Sequence, residues 1–475
     1  MSASRLRSRG YAALLIGCAA VTGAMSIGLW AFPAELKAII AEARLLASDV
    51  GLIMGGTGDP TPDSGYLSEV ESLYLSQDSG YQFDALPTPE QFCPITCNAG
   101  EPDLGFGDSV NVGVSDLNNA IDSAFQGGDD VHVAVLGYSQ SATIATVEMN
   151  DLISNNHGVP LNDLSFTLLG DPNSPIGGIL DRFQFPDGVG AFSLSPEPQH
   201  VPFLDIPLSL ATTPTDPFTT DIYTGEYDGW ADFPEDPSNI FADINALIGI
   251  ETVHPYYPDP TPGVNLDTSN MIDLGTIGNT TFYDIPAPLP VLAFMYDGGP
   301  AGQFFYDLFD PYASLYDDWA YGNPGDPAYG IDPSDGTPVD GSGIGDVGPW
   351  QVDATGQLME SGVAGFIPTM DPLEMLAGTE YASVQEFVGP IDALLADAGQ
   401  SAIPTSVVDT LDDLSGYDLT NELNSSLITG LDDLGNLVGQ SDLADTIFSG
   451  DPLISGQPLI DLVGYGFDIF NFFGA

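Results

Sequence analysis

The chain has 475 residues, 43% hydrophobic and 10% aromatic, which is enough apolar material for a large core and excludes wholesale disorder. Its formal charge of −62 sets 68 acids against six bases, and Arg182 is the only base beyond residue 44. So acidic a body repels phosphate backbones and anionic headgroups, so nucleic-acid binding is excluded and the expected ligand is neutral or apolar.

With one Arg for the 66 carboxylates after residue 46, ion pairs cannot hold the fold, so burial and hydrogen bonding must. A halophile's solvated acidic surface is another reading of the same composition. The 55 glycines and 39 prolines point to long irregular connections. No cofactor or metal site is expected.

Arg5, Arg7 and Arg9 precede an uncharged apolar run from Tyr11 to Phe32. This pattern predicts an export signal, or an uncleaved anchor, since about 20 apolar residues span a bilayer. Leu15-Ile16-Gly17-Cys18 fits a lipoprotein cleavage box, but Cys18 lies inside the apolar run rather than at its end, where it serves equally as a small apolar residue.

Val50 to Met54 reads as a short strand ending at the turn-forming cluster Gly55-Gly56-Thr57-Gly58-Asp59-Pro60. Cys93 and Cys97 have no further Cys or nearby His, too few ligands for zinc. In an exported chain they read as a local disulfide, a free pair being the alternative. Val110, Val114, Leu117, Ile121 and Phe125 recur at helical spacing after a cap at Asp108 or Ser109.

Val131 to Leu136 is rich in β-branched residues and nearly all apolar, as a central strand covered on both faces would be. It runs into Gly137-Tyr138-Ser139-Gln140-Ser141, and a helix is predicted over Ala142 to Leu152. Further strands are predicted at Leu164 to Leu169 and Asp221 to Thr224. Asp236 is the predicted cap of a helix with Pro237 at its first position and Ile240, Ile244, Leu247 and Ile248 as its buried stripe. Alternating strands and helices predict an α/β fold, a mostly parallel sheet with crossover helices. From about residue 300 Gly, Pro and Asp clusters dominate, with weak helices conceivable around Leu427, Leu431, Leu434 and Val438; the apolar end, residues 467–473, should dock on the body or sit against lipid.

A hydrolase nucleophile needs its hydroxyl on a sharp strand-to-helix turn with small residues two positions either side. Ser139 meets this need between Gly137 and Ser141, although Ser replaces the usual second Gly; the bland alternative is a turn whose serines merely cap a helix. A serine needs a histidine base held by a carboxylate, in the chain order Ser, acid, His. Of four histidines, His132 is expected to be buried and structural, and His157 and His200 precede the best acid candidate, which leaves His254. Asp228, at the end of the strand before it, is the preferred acid, with Asp232 as its rival. The oxyanion hole is assigned to the N–H of Gln140 and to the early glycine loop, Gly56 and Thr57.

Four ordered blocks, residues 52–58, 137–142, 169–173 and 223–234, make the stretch from about 48 to 300 resemble the PE-PPE C-terminal domain of mycobacterial exported proteins. The resemblance extends to Gly278-Asn279-Thr280-Thr281. It implies a cutinase-like α/β-hydrolase with helices on both faces of its sheet and a Ser-Asp-His triad. It also implies a serine esterase or, as in some relatives, an acyltransferase building cell-envelope glycolipids. The helical PE or PPE module usual at the N-terminus is replaced by the signal-like segment. The expected organisation is a signal or anchor over 1–45, the hydrolase domain over 46–335 and an acidic extension over 336–475. A noncatalytic envelope protein on the same scaffold is the third reading, and envelope or membrane association through the N-terminal segment is expected.

Overall fold

The computed structural model describes residues 49–75, 80–100, 102–126, 131–175, 177–182, 212–234, 239–296, 299–318 and 372–416, short pieces at 200–201, 206–207, 350–352 and 358–360, and scattered helical positions between 419 and 437. The signal-like segment with Cys18, most of the Pro-rich stretch before residue 212 and the apolar end at 467–473 lie outside the described residues. Among the described residues no helix is long and apolar enough to cross a membrane.

The centre is a seven-stranded sheet built from β1 (Asp49–Ile53), β2 (Gln82–Ala85), β3 (His132–Tyr138), β4 (Leu164–Leu169), β5 (Thr219–Gly225), β6 (Ile272–Ile277) and β7 (Thr280–Ile285). They lie in the order β2-β1-β3-β4-β5-β7-β6. All neighbours are parallel except the β6–β7 hairpin. Helices cover both faces, so strand side chains alternate between two apolar clusters. Leu52, Val133, Val135, Phe166 and Ile222 face one cluster. Ile53, Leu136, Leu169, Tyr223 and Ile285 face the other.

The first cluster is closed by α2 (Phe106–Phe125) and α3 (Gln140–Ser154), through Val110, Leu117 and Ile121 of one and Ala142, Ile144 and Met149 of the other. Each of these fully buried large side chains contributes about 1.5–3 kcal/mol. A Cβ on Gly113 would meet Ile144 at 2.3 Å, so glycine permits that helix contact. The second cluster is closed by α1 (Ser64–Tyr74), capped by the Asp63 carboxylate. Helix α2 starts three residues earlier than its predicted caps, at Phe106 after Gly105, and Ser109 instead turns its hydroxyl inward. His132 is also not buried: as the first residue of β3 it lies at the end of the sheet, 54% exposed, with Nδ1 3.0 Å from Asp49 Oδ1.

Helix α4 (Ile240–Thr252) is capped by Asn239, which accepts from the Ala242 N–H, rather than by Asp236. The predicted buried stripe is turned outward, with Ile240, Ile244 and Leu247 exposed and Ile248 half-buried. Ala242, Asn245, Ala246 and Gly249 face inward instead. The reason is space: a Cβ on Gly249 would lie 1.8 Å from the Tyr227 carbonyl, an approach only a small-residue face allows. Beyond the sheet, α5 (Gly299–Asp318) packs on α4, and α6 (Pro372–Asp397) runs along α5, with Gly378 against Leu315 and Gly389 against Asp307. The helix α7 (Thr405–Ser415) follows. Within the acidic extension, residues 372–397 are therefore helical and packed along α5, and positions 427, 431 and 434 are also helical.

Candidate active site

Strand β3 delivers the chain to Ser139 in a strained turn, φ 58° and ψ −118°, before α3 begins at Gln140. Such a conformation costs a non-glycine residue roughly 1–3 kcal/mol and is held only where surrounding contacts over-determine it. Those contacts are present. A Cβ on Gly137 would meet the Ser141 carbonyl at 2.6 Å, so glycine is required there. Ser141, at the position usually taken by glycine, stitches the turn: its Oγ accepts from the Tyr138 N–H at 2.8 Å and donates to the Tyr138 carbonyl at 3.1 Å. The Ser139 hydroxyl makes no capping bond.

It meets His254 instead, with Ser139 Oγ 2.8 Å from Nε2, while Nδ1 lies 2.7 Å from Asp228 Oδ2. The carboxylate only accepts, so it fixes the proton on Nδ1 and leaves Nε2 to take the serine proton. Asp228 is fully buried but well partnered, since Oδ1 accepts from the Trp230 N–H and Oδ2 also from the Tyr257 hydroxyl at 2.8 Å. The rival Asp232 turns away, its Oδ2 accepting from the Tyr227 N–H at 2.9 Å. His157 is exposed at the far end of α3, and the side chain of His200 lies outside the described residues.

Two tyrosines hold the histidine loop. Tyr138 donates to the His254 carbonyl at 2.6 Å, with its ring centroid 5.5 Å from the imidazole. Tyr257 accepts from the Gly225 N–H while donating to Asp228, and Tyr74 donates to the Tyr257 carbonyl at 2.8 Å. Burial, then the Asp228 charge, pushes both Tyr138 and Tyr257 well above the usual phenol range, so each stays a donor. Gly170, at φ +54°, packs behind the ring, where a Cβ would come within 3.1 Å of His254 Cε1.

The Gly56 Cα faces the serine, its would-be Cβ 3.4 Å from Ser139 Cβ. The Gln140 N–H is one of the first amides of α3, which the helix itself leaves unpaired. The buried Gln140 side chain ties helix to loop: Nε2 donates to the Gln91 carbonyl at 2.9 Å and lies 3.4 Å from Thr57 Oγ1, and Oε1 accepts from Ser109. Gly58 is braced by the Glu90 carbonyl at 2.8 Å, next to the hairpin closed by the Cys93–Cys97 disulfide. The loop thus lies against the elbow, Gly56 beside Ser139 and Thr57 beside the Gln140 side chain. None of these tyrosines, and neither Glu90 nor the Gln140 side chain, was singled out by the sequence; the one available signal was the aromatic run after His254.

Glu90 carries a testable consequence. It is fully buried at φ 48°; one oxygen accepts from Thr88 and the other has no hydrogen-bond partner among the described residues, and burial pushes its carboxyl from 4.5 to about 8. The folded state therefore favours the protonated form, so this contribution to stability is complete below pH 4.5 and is lost as pH rises through about 8. Glu90→Gln keeps the shape without the proton. Its melting temperature is expected to fall less than that of wild type between pH 5 and pH 9, by an amount worth on the order of a few kcal/mol. Differential scanning fluorimetry at the two pH values checks this, and parallel melting curves would refute it.

The model of the PE-PPE domain family matches residues 79–321, just over half the chain. The chain belongs to the PE-PPE domain family. The matched span contains Ser139, Asp228 and His254 and ends beyond α5, while the Gly55–Gly58 loop precedes it. The chain is similar to PE family protein PE3 of Mycobacterium tuberculosis, 37% identical over 283 residues, 57% of this chain and 54% of that protein. It is similar also to Esterase PE16 of the same species, 40% identical over 280 residues, 55% and 48% of the two chains. A shorter likeness, 30% over 148 residues, 31% of this chain and 38% of the other, links it to Diacyltrehalose acyltransferase Chp2 of M. tuberculosis. The chain spans about half the length of PE3 and PE16.

Proposed function

We propose that this PE-PPE domain protein is a serine hydrolase of neutral, lipid-like carboxylic esters. The observation that carries the reading is the unbroken hydrogen-bond chain from Asp228 through His254 to Ser139. Ser139 Oγ attacks the ester carbonyl as its proton passes to His254 Nε2, and the Gln140 amide with the Gly56-Thr57 loop holds the developing oxyanion. The same proton leaves with the alcohol. Water then repeats the sequence on the acyl-serine, releasing the acid and restoring the hydroxyl. Asp228 accepts from Nδ1 throughout and stabilises the transient imidazolium. Similarity to an esterase of the family supports the ester as substrate class.

A second reading, transfer of the acyl group to a sugar hydroxyl, is favoured by the similarity to a diacyltrehalose acyltransferase. It uses the same acyl-serine and differs only in the acceptor. We further propose that the charged and apolar pattern of residues 1–45 directs the protein to export or to the cell envelope. A fluorophosphonate probe is expected to label Ser139, and p-nitrophenyl butyrate to be hydrolysed. Product analysis with trehalose present separates the two acceptors: acyl-trehalose outweighing free acid would replace hydrolysis by transfer. An unlabelled Ser139 with no turnover would leave a noncatalytic scaffold.

A further inference from the structure

Helix α5 is inverted relative to an ordinary water-facing helix. Its inward face carries the carboxyls of Asp310 and Asp317 beside Tyr306, while Asp307 is half-buried against α6. Asp317 is fully buried, with one oxygen accepting from Asn245 and the other without a hydrogen-bond partner among the described residues, and burial raises its carboxyl well above the usual range. The face turned to solvent carries Phe305, Phe309, Tyr312 and Tyr316, at helical spacing and 38–49% exposed. In water the opposite arrangement is favoured.

The outward stripe of α4 continues this surface, with Ile240, Ile244 and Leu247 47–68% exposed. Phe241 joins the two stripes, its ring 5.8 Å from that of Tyr316. No Asp or Glu stands among these seven exposed apolar side chains, although the exposed Glu251, one turn beyond Leu247, bounds the α4 stripe at that end. Contiguous apolar surface of this kind marks a site of contact with a partner or a membrane. Charge selects among the occupants: an anionic surface is repelled, and a second copy would bring a further −62, whereas an uncharged or zwitterionic lipid surface meets no such repulsion. Position points the same way, since α4 ends at Thr252, two residues before His254.

We propose that the α4–α5 face docks the protein on a neutral lipid surface, so that the ester is drawn from that surface. The inference rests on the ester-hydrolase reading for its substrate, but the docking itself does not need the serine. The full chain is expected to co-float with phosphatidylcholine vesicles, and to do so equally at 0.05 and 0.5 M NaCl, because apolar burial rather than charge drives it. Phe305→Ser/Phe309→Ser and Ile244→Ser/Leu247→Ser variants with wild-type circular dichroism are expected to partition at least tenfold more weakly. Ser139→Ala is expected to bind as wild type, which separates failure of docking from failure of the chemistry. Wild type remaining in solution, or folded stripe variants floating unchanged, overturns the proposal. So does a dimer in sedimentation that the stripe substitutions disperse while vesicle binding stays intact, because the face then belongs to a second copy.

Discussion

Ser139→Ala is expected to lower kcat for a p-nitrophenyl ester by on the order of 10⁴- to 10⁶-fold. The same loss is expected from His254→Ala, and the double variant should lose no more than either single one. The reason is geometric. The hydroxyl lies 2.8 Å from Nε2 in a turn that holds it there, so each partner is useful only while the other is present. What survives is catalysis by the oxyanion donors and substrate binding alone. Steady-state kinetics on the three proteins check this, and additive losses would show that Ser139 and His254 do not act as a unit.

Asp228→Asn is the second large effect, a fall of about 10⁴-fold with the fold retained. The carboxylate accepts from Nδ1 of His254, from the Tyr257 hydroxyl and from the Trp230 amide. An amide in its place presents N–H to Nδ1, drives the proton to Nε2 and leaves no base facing Ser139. Asp232→Asn provides the contrast. Its carboxylate serves the Tyr227 amide, so turnover per folded molecule is expected to change less than tenfold. Kinetics normalised by fluorophosphonate titration distinguish the two, and equal losses would reopen the choice of acid.

The strands and the elbow were legible because their signals are local. Val131 to Leu136 carries a valine at every second position and is apolar but for His132, leading into a Gly-x-Ser turn, and its central place between β1 and β4 agrees with burial on both faces. The order of Ser139, Asp228 and His254 was legible too, since only one histidine follows the acid. What was not legible depends on tertiary space. Periodicity put the bulky stripe of α4 inside, but Gly249 against the Tyr227 carbonyl makes the small face the one that fits. His132 looked buried among valines, yet it begins its strand at the open end of the sheet. Helix α5 could not be read because Gly299, Gly302 and an internal Pro311 weaken the helical signal, and α6 because its partner ends more than 50 residues earlier in the chain. Glu90 gave no sign at all: its burial arises only where the Gly55–Gly58 loop and the disulfide hairpin meet.

The polar thread from Tyr74 through the Tyr257 backbone and hydroxyl to Asp228 begins in α1 and reaches the acid through the layer that helix closes. The acid thereby leans on structure remote from the loops that frame the serine. Changes in those loops are therefore expected to leave the Asp228–His254 bond, and with it the contact to Ser139, in place.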